Sequence, residues 1–387
     1  MQAPKEKTSL NSLANRKEIE DRESQTLAPY AALSAESRGR VYQQEEHELR
    51  TAYQRDRDRI IHSAAFRRME YKTQVFIPHE RDHFRTRLTH TAEVAQISRS
   101  MARNLRLNED LAEAVALVHD LGHTPFGHAG EDALDKLLKE HGGFNHNRQS
   151  LRVVDKLERR YFEHPGLNLT YEVREGIVKH ETKVKIVLPE FKSDEQPTLE
   201  AALVDIADEL AYNAHDLDDG LSSGLISFDE VMSIGAGQII EATSLADGTD
   251  FDKNRYAIVR NLINKTVLDV LDETSRRIAK QNISDLKSVR NCKSKLCDYS
   301  GDMKKSVKKV KEFLYTRLYR HPQLLEHSAR ASQIVNKIFN YYLKTPEKLP
   351  EGFREMLAEE KKEIVVADYI AGMTDRFAEI SYDKIDK

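Results

Sequence analysis

Cysteine is almost missing from this chain of 387 residues: Cys292 and Cys297 are the whole complement. Without further partners they can build neither a disulfide framework nor a structural zinc site, and they read as two ordinary thiols of a reducing cytoplasm. Glycine and proline are sparse too, at 16 and 10 residues, which leaves little turn chemistry. Ala, Leu, Glu, Lys and Arg are abundant and apolar positions recur at three and four, so the fold is expected to be nearly all helix. No apolar run reaches the roughly 18 residues of a membrane helix, and Met1 to Lys17 is polar, so neither a membrane span nor a secretory signal is expected. Charge of one sign is lacking as well: 60 Lys and Arg stand against 64 Asp and Glu, a net −4. The molecule therefore has no overall field to gather nucleic acid, and any polyanion must be held locally.

What is plentiful is histidine. There are 15, and His79, His83, His90, His119, His123, His128, His141 and His146 crowd into one stretch. With 39% hydrophobic and 32% charged residues the chain can bury one large core or two small ones.

Residues 1–28 are polar and aperiodic and read as a flexible N-terminal arm. Residues 29–235 hold the histidines and read as the core, and 236–387 as a C-terminal helical lobe that completes it, with a boundary near Gly235 and Ala246-Asp-Gly. Val94, Ile97, Met101 and Leu105 follow His90 at helical spacing, and Leu111, Val115 and Val118 form a second stripe ending at His119-Asp120. Gly122, Pro125 and Gly127 then break the helix, another begins near Glu131, and Leu199 to Asp216 is helical again before a turn-rich break at Leu221 to Phe228. Lys183 to Pro189 alternates at period two, the one convincing strand and half of a small β-ribbon.

The adjacent His119-Asp120 offers an imidazole nitrogen and a hard carboxylate oxygen, a pair suited to Mn, Fe, Co, Ni, Zn or, through the carboxylate, Mg. The pair ends an apolar helix, where a lone carboxylate is costly and a cation offsets the cost. His90 and an acid of the Asp205 to Asp216 helix would complete a set with positions open for water and a substrate oxygen. Spacing alone leaves Asp205 and Asp208 as alternatives.

Long stretches carry a resemblance: Arg55-Asp-Arg-Asp-Arg-Ile-Ile-His, Lys72-Thr-Gln-Val-Phe, Arg85-Thr-Arg-Leu-Thr-His-Thr, His119-Asp-Leu-Gly-His-Thr-Pro-Phe-Gly-His, Ala207-Asp-Glu-Leu-Ala-Tyr-Asn-Ala-His-Asp and Asp368-Tyr-Ile-Ala-Gly-Met-Thr-Asp. The sequence resembles the HD-domain deoxynucleotide triphosphohydrolases, most of all the bacterial deoxyguanosine-triphosphate enzymes. That resemblance implies an all-α HD-domain core and a divalent metal, Mg, Mn or another first-row ion, on His90, His119, Asp120 and Asp208. It implies His128 and Glu131 as the catalytic pair, with His123 and His146 lining the pocket. Gln74, Arg87, Tyr212, Asp216 and Arg317 would bind the substrate, a deoxynucleoside triphosphate cleaved to deoxynucleoside and triphosphate. A homo-oligomer, commonly a hexamer, and an allosteric nucleotide are further implications. Arg81 departs from the family, where relatives often carry Gly. Two other readings are a phosphomonoesterase or phosphodiesterase of the same fold, and a nucleotide sensor or single-stranded nucleic-acid binder using the basic segment 287–320. Aromatic residues cluster late in that segment, at Phe313, Tyr315 and Tyr319.

Overall fold

The computed structural model describes residues 14–74, 85–180, 188–236, 239–240 and 250–385. These residues are predominantly helical. Helix α1 (Arg16–Thr26) is followed by α2 (Ala52–Ile61) and α3 (Ala64–Arg68), then by the helices that frame the histidines: α4 (Arg87–Asn104), α5 (Glu109–Val118), α6 (Gly127–Leu137), α7 (His146–Arg152), α8 (Tyr171–Lys179) and α9 (Leu199–Ser223). After the short α10 (Phe228–Met232) come α11 (Phe251–Lys280), α12 (Leu286–Asn291), α13 (Gly301–Phe313) and α14 (Pro322–Lys344). The chain closes with α15 (Glu351–Met356), α16 (Lys362–Ala371) and α17 (Asp375–Ile385).

Helices α4, α5 and α9 form the centre. Thr86 caps α4 by accepting from the Thr89 amide, and Asn108 caps α5 by accepting from the Leu111 amide, while Glu109 and Asp110 place negative charge at the positive end of α5. The expected stripes face inward: Val94, Met101, Leu111 and Val118 are fully buried. Each contributes about 1.5–3 kcal/mol by leaving water, and truncation of Leu111 to Ala costs about 2–5 kcal/mol. Helix α9 is longer than expected, running to Ser223 and stopping where Gly224 takes a left-handed conformation at φ 77°.

The main apolar cluster runs without a break from Ala31 through α11–α13 to Leu324. A second cluster joins Ala133 and Leu134 of α6 to Ile334, Val335 and Ile338 of α14 and Val365, Val366 and Ile370 of α16. Helix α11 packs on α9, so the main cluster draws on residues from both sides of the Gly/Asp-rich stretch near 235–250. The closing helices grip the core through α6, the helix that follows His123.

Two expectations need correction or restriction. Residues 16–26, assigned to a flexible arm, are helical; α1 buries none of its residues, so it shows no apolar period, and it is held by the Asn15–Glu18 capping box and by Glu23 accepting from Ser34. Of the expected strand, residues 183–187 lie outside the described residues, as do His79, Arg81 and His83. Among the described residues the β pairing consists of two isolated bridges, Arg40 with Thr170 and Thr73 with Thr86.

Candidate metal centre and adjoining pocket

His119 and Asp120 follow directly on α5. The corner they make is close-packed: a Cβ on Gly122 would lie 2.2 Å from the Ser150 nitrogen and 2.3 Å from the His146 carbonyl oxygen, so only glycine lets α7 approach. Three other elements bring groups to the corner. The first turn of α4 supplies Arg87 and His90, the middle of α9 supplies Asp208, and the end of α8 supplies His180. His90, His119 and Asp120 are all buried, and their ligand atoms lie within 4.8 Å of one another.

Hydrogen-bond direction shows what these groups await. A carbonyl oxygen only accepts, so the 2.6 Å contact of His119 Nδ1 with the Ala116 carbonyl places a proton on Nδ1. Nε2 then turns toward Asp120 Oδ1 at 3.4 Å and Asp208 Oδ1 at 3.6 Å, buried and without a hydrogen-bond partner. His90 Nε2 is 2.9 Å from the same Asp208 oxygen. The His119 lone pair and the carboxylate oxygens that converge on it repel unless positive charge lies between them. Two imidazoles and two carboxylates fit a divalent first-row cation, and a Nδ1–H held by a backbone carbonyl is the usual way a ligating imidazole is oriented. Arg87 Nη1 donates to Asp120 Oδ2 at 2.9 Å, which pins that oxygen and leaves Oδ1 to face the imidazoles.

Burial opposes charge on both acids, but positive charge on the facing imidazoles, the part a bound cation would otherwise take, outweighs it. His119, His123 and Arg87 hold Asp120 well below the usual carboxylate range, and His119, His180 and His90 do the same for Asp208. His123 moves the other way: burial first and then Arg87 keep it neutral.

A second imidazole group adjoins the first. His123 Nε2 is 3.1 Å from Asp120 Oδ1, and its ring stacks on His146 with centroids 3.9 Å apart. Glu131 accepts from the backbone amide of His146 at 2.9 Å and lies 2.9 Å from its Nδ1. His128, 61% exposed, stands at the mouth with Nδ1 3.6 Å from Glu131.

The HD domain pattern matches residues 87–213, the span that contains this corner, and the phosphohydrolase-associated domain pattern matches 297–384. A deoxyguanosinetriphosphate triphosphohydrolase-like protein of Ralstonia pickettii is 48% identical over 91% of this chain and 92% of its own length. Proteins of the same description from Geobacter sulfurreducens and Thiobacillus denitrificans are 45% and 48% identical, again over 91% of this chain and over 93% and 95% of theirs. The chain belongs to this family of HD-domain phosphohydrolases. Like its relatives it is a hydrolase by descent, and among its described residues no helix is long and apolar enough to cross a membrane.

In this HD phosphohydrolase the expected site residues fall into three sets. His90, His119, Asp120 and Asp208 come together, and Asp205 instead contacts His180 Nδ1 at 2.5 Å. His123, His128, Glu131 and His146 also come together, but Glu131 bonds His146 and lies beyond hydrogen-bond distance of His128. The free amide at the start of α7 attracts the carboxylate more strongly than the i+3 neighbour does. Of the substrate set, Arg87 serves Asp120 as described, and Gln74 is buried with Oε1 unpartnered. Tyr212 stacks on Tyr319 at 6.0 Å, and Asp216 accepts from the Tyr319 hydroxyl. Arg317 does not join them: it is 58% exposed and pairs with Glu230 on α10. The turn after α13 sends Tyr319 inward and Arg317 outward. In the basic segment, Lys305 and Lys308 pair with Asp302 and Glu312.

His180, His215, Tyr319 and Lys72 are the residues that sequence reasoning did not assign to the site. His180 packs at 5.4 Å from the His119 ring, and burial is outweighed by Asp205 and Asp208, which hold its imidazole well above the usual range. Nothing local marks it: Lys179-His180 is an ordinary helix end. His215 had a signal, since it lies seven residues after Asp208 on α9, two helical turns along the same face.

Proposed function

We propose that this HD phosphohydrolase cleaves deoxynucleoside triphosphates at the α-phosphorus, releasing deoxynucleoside and intact inorganic triphosphate. The observation that carries the reading is the lone Nε2 of His119 facing two carboxylate oxygens beside a row of imidazoles that ends at the exposed His128. The printed names of the relatives, deoxyguanosinetriphosphate triphosphohydrolase-like proteins, support the substrate class.

His90, His119, Asp120 and Asp208 would hold a divalent cation, which when bound would supply Lewis-acid stabilisation of charge on a phosphoryl oxygen. Arg87 holds Asp120 in register and adds a fixed positive charge next to the phosphate position. His128 is the residue best placed to give a proton to the departing 5′ oxygen, with Glu131 stabilising the imidazolium before transfer. Water adds its oxygen to the α-phosphorus and remains in the triphosphate, while the deoxyribose oxygen, a poor leaving group as an alkoxide, departs as the alcohol once protonated. His123, kept neutral, and His146 wall the pocket and fix Glu131. Tyr212, with Tyr319 behind it, forms the flat surface for the sugar, and Asp216 is the acceptor for the 3′-hydroxyl; close packing there excludes a 2′-hydroxyl by shape. Gln74 contributes its free amide oxygen near the sugar.

The test is product analysis. Purified protein is incubated with each deoxynucleoside and ribonucleoside triphosphate in Mg(II) or Mn(II), and the products are separated by ion exchange. Deoxynucleoside and inorganic triphosphate in equal amounts are expected. Orthophosphate or a nucleoside monophosphate would assign the site to a phosphomonoesterase or phosphodiesterase, and no turnover with nucleotide bound would assign it to a sensor.

A further inference from the structure

We propose that Glu93 and His215 form a relay that fixes the proton of His90 on Nδ1 and so holds its Nε2 as a metal ligand. The inference rests on the metal-centre reading above and deepens it.

The relay is read from donors and acceptors alone. The Glu93 carboxylate lies in contact with His215 Nε2, and a carboxylate only accepts, so Nε2 of His215 carries the hydrogen. A neutral His215 is then left with a lone pair on Nδ1. That atom is 3.1 Å from His90 Nδ1, so His90 is the donor there and its own Nδ1 carries the hydrogen. The remaining nitrogen, His90 Nε2, lies 2.9 Å from Asp208 Oδ1, in the same space that His119 Nε2 faces; a cation held there would replace the hydrogen that this carboxylate otherwise accepts from Nε2, and the hydrogen of His90 then stays on Nδ1, where His215 accepts it. His90 and His215 meet edge to face with centroids 5.3 Å apart, which aligns the two Nδ1 atoms.

The surroundings keep the order of the chain. His215 is 1% exposed, so no water competes for Nδ1. Arg85 Nε lies 3.3 Å from Glu93, and its Nη1 bonds Asp218 and Asp219 at 2.8 and 2.9 Å, so Glu93 stays anchored to α9. The two ligating imidazoles are therefore oriented by different means: His119 by a backbone carbonyl of its own helix, His90 by a side chain that α9 also carries. Since α9 provides Asp208 as well, one helix sets both a ligand and the direction of another.

Glu93 and His215 are positioning residues, and the readout is metal affinity. Mn(II) is titrated calorimetrically into metal-stripped full-length protein. His215→Phe, which fills the space but cannot accept, is expected to weaken Mn(II) binding about 10–100-fold, the usual effect of losing the partner of a ligating imidazole. His215→Gln, whose amide oxygen still accepts from His90, is expected to recover most of that loss. Glu93→Ala, at a side chain 43% exposed, is expected to fall between the two and decides the matter if His215→Phe does not fold. Thermal unfolding of the metal-stripped Glu93→Ala protein should match the wild type, which separates the relay from a general loss of structure. Wild-type affinity in both His215→Phe and Glu93→Ala overturns the relay while the metal centre stands. A wild-type protein that takes up no Mn(II) overturns both.

Discussion

Asp375 offers the sharpest perturbation of the loop that carries His128. It begins α17, is 7% exposed, and accepts from the backbone amides of Thr73 and Phe126, each at 2.9 Å, and from the Thr73 hydroxyl. One carboxylate thus ties the C-terminal helices to the segment leading to Gln74 and to the loop between His123 and His128. Lys72 repeats the tie, its ammonium donating to the carbonyls of His123 and Ala371. The loop needs restraint because Phe126 and Gly127 both have positive φ, 62° and 57°, and for phenylalanine that conformation costs on the order of 1 kcal/mol or more. Asp375→Ala removes the acceptor from two backbone amides. At about 1–3 kcal/mol for each amide left unsatisfied, the loss is on the order of 2–6 kcal/mol, measured by urea unfolding. If the loop relaxes by about 1 Å, turnover falls about 100-fold at saturating nucleotide. Asp375→Asn, which keeps the shape and one acceptor, should lose about half as much stability, since one of the two amides keeps an oxygen to donate to. An Ala variant that unfolds at the wild-type midpoint and turns over at the wild-type rate would refute the reasoning. Lost stability with an unchanged rate would limit the carboxylate to holding the helices together.

Other substitutions test other parts of the site. His128→Ala should lower turnover by about 100- to 10,000-fold and leave the bound Mn(II) unchanged by elemental analysis; a full rate would remove His128 from the proton transfer. Gly122→Ala drives a methyl into the backbone of α7 and should cost several kcal/mol, about 3 or more, in urea unfolding, with no relief from trimming a neighbouring side chain, because the clash is with backbone atoms. Burial pushes the Asp216 carboxyl up to about 8, against the hydrogen bonds of Tyr319 and Tyr212, from an ordinary value of 3.8. Between those values the folded protein holds a proton that the unfolded chain has lost, so stability declines as pH rises from about 4 to about 8 and is level above. Asp216→Asn should remove that slope, and equal slopes in the two proteins would reject the assignment.

The sequence made the helical skeleton legible because α4, α5 and α9 each turn one apolar stripe inward, and Val94, Met101, Leu111 and Val118 could be placed from period alone. It did not reveal α1, which buries nothing and leaves no stripe to find. Within the site, His119-Asp120 stood out as a charged pair closing an apolar helix. Asp208 could be preferred to Asp205 only by resemblance, since both lie on the inner side of α9 and the deciding contacts, with His90, His119 and His180, come from other helices. Arg317 and Tyr319 were hard to place for a related reason: two residues apart at a wide turn after α13, they point to opposite sides, and nothing in the local sequence says which faces in. The bond between Glu131 and His146 depends on where α7 begins in space, which no spacing within α6 encodes.

The central claim is that His90, His119, Asp120 and Asp208 hold one divalent ion. Anomalous diffraction at the manganese edge from crystals grown with Mn(II) tests it most directly. One peak is predicted within bonding distance of His90 Nε2, His119 Nε2 and a carboxylate oxygen of each of Asp120 and Asp208. A peak centred instead among His123, His128 and Glu131, the neighbouring group whose ligand atoms also lie within 4.8 Å of one another, would contradict it, as would no peak in protein that hydrolyses nucleotide.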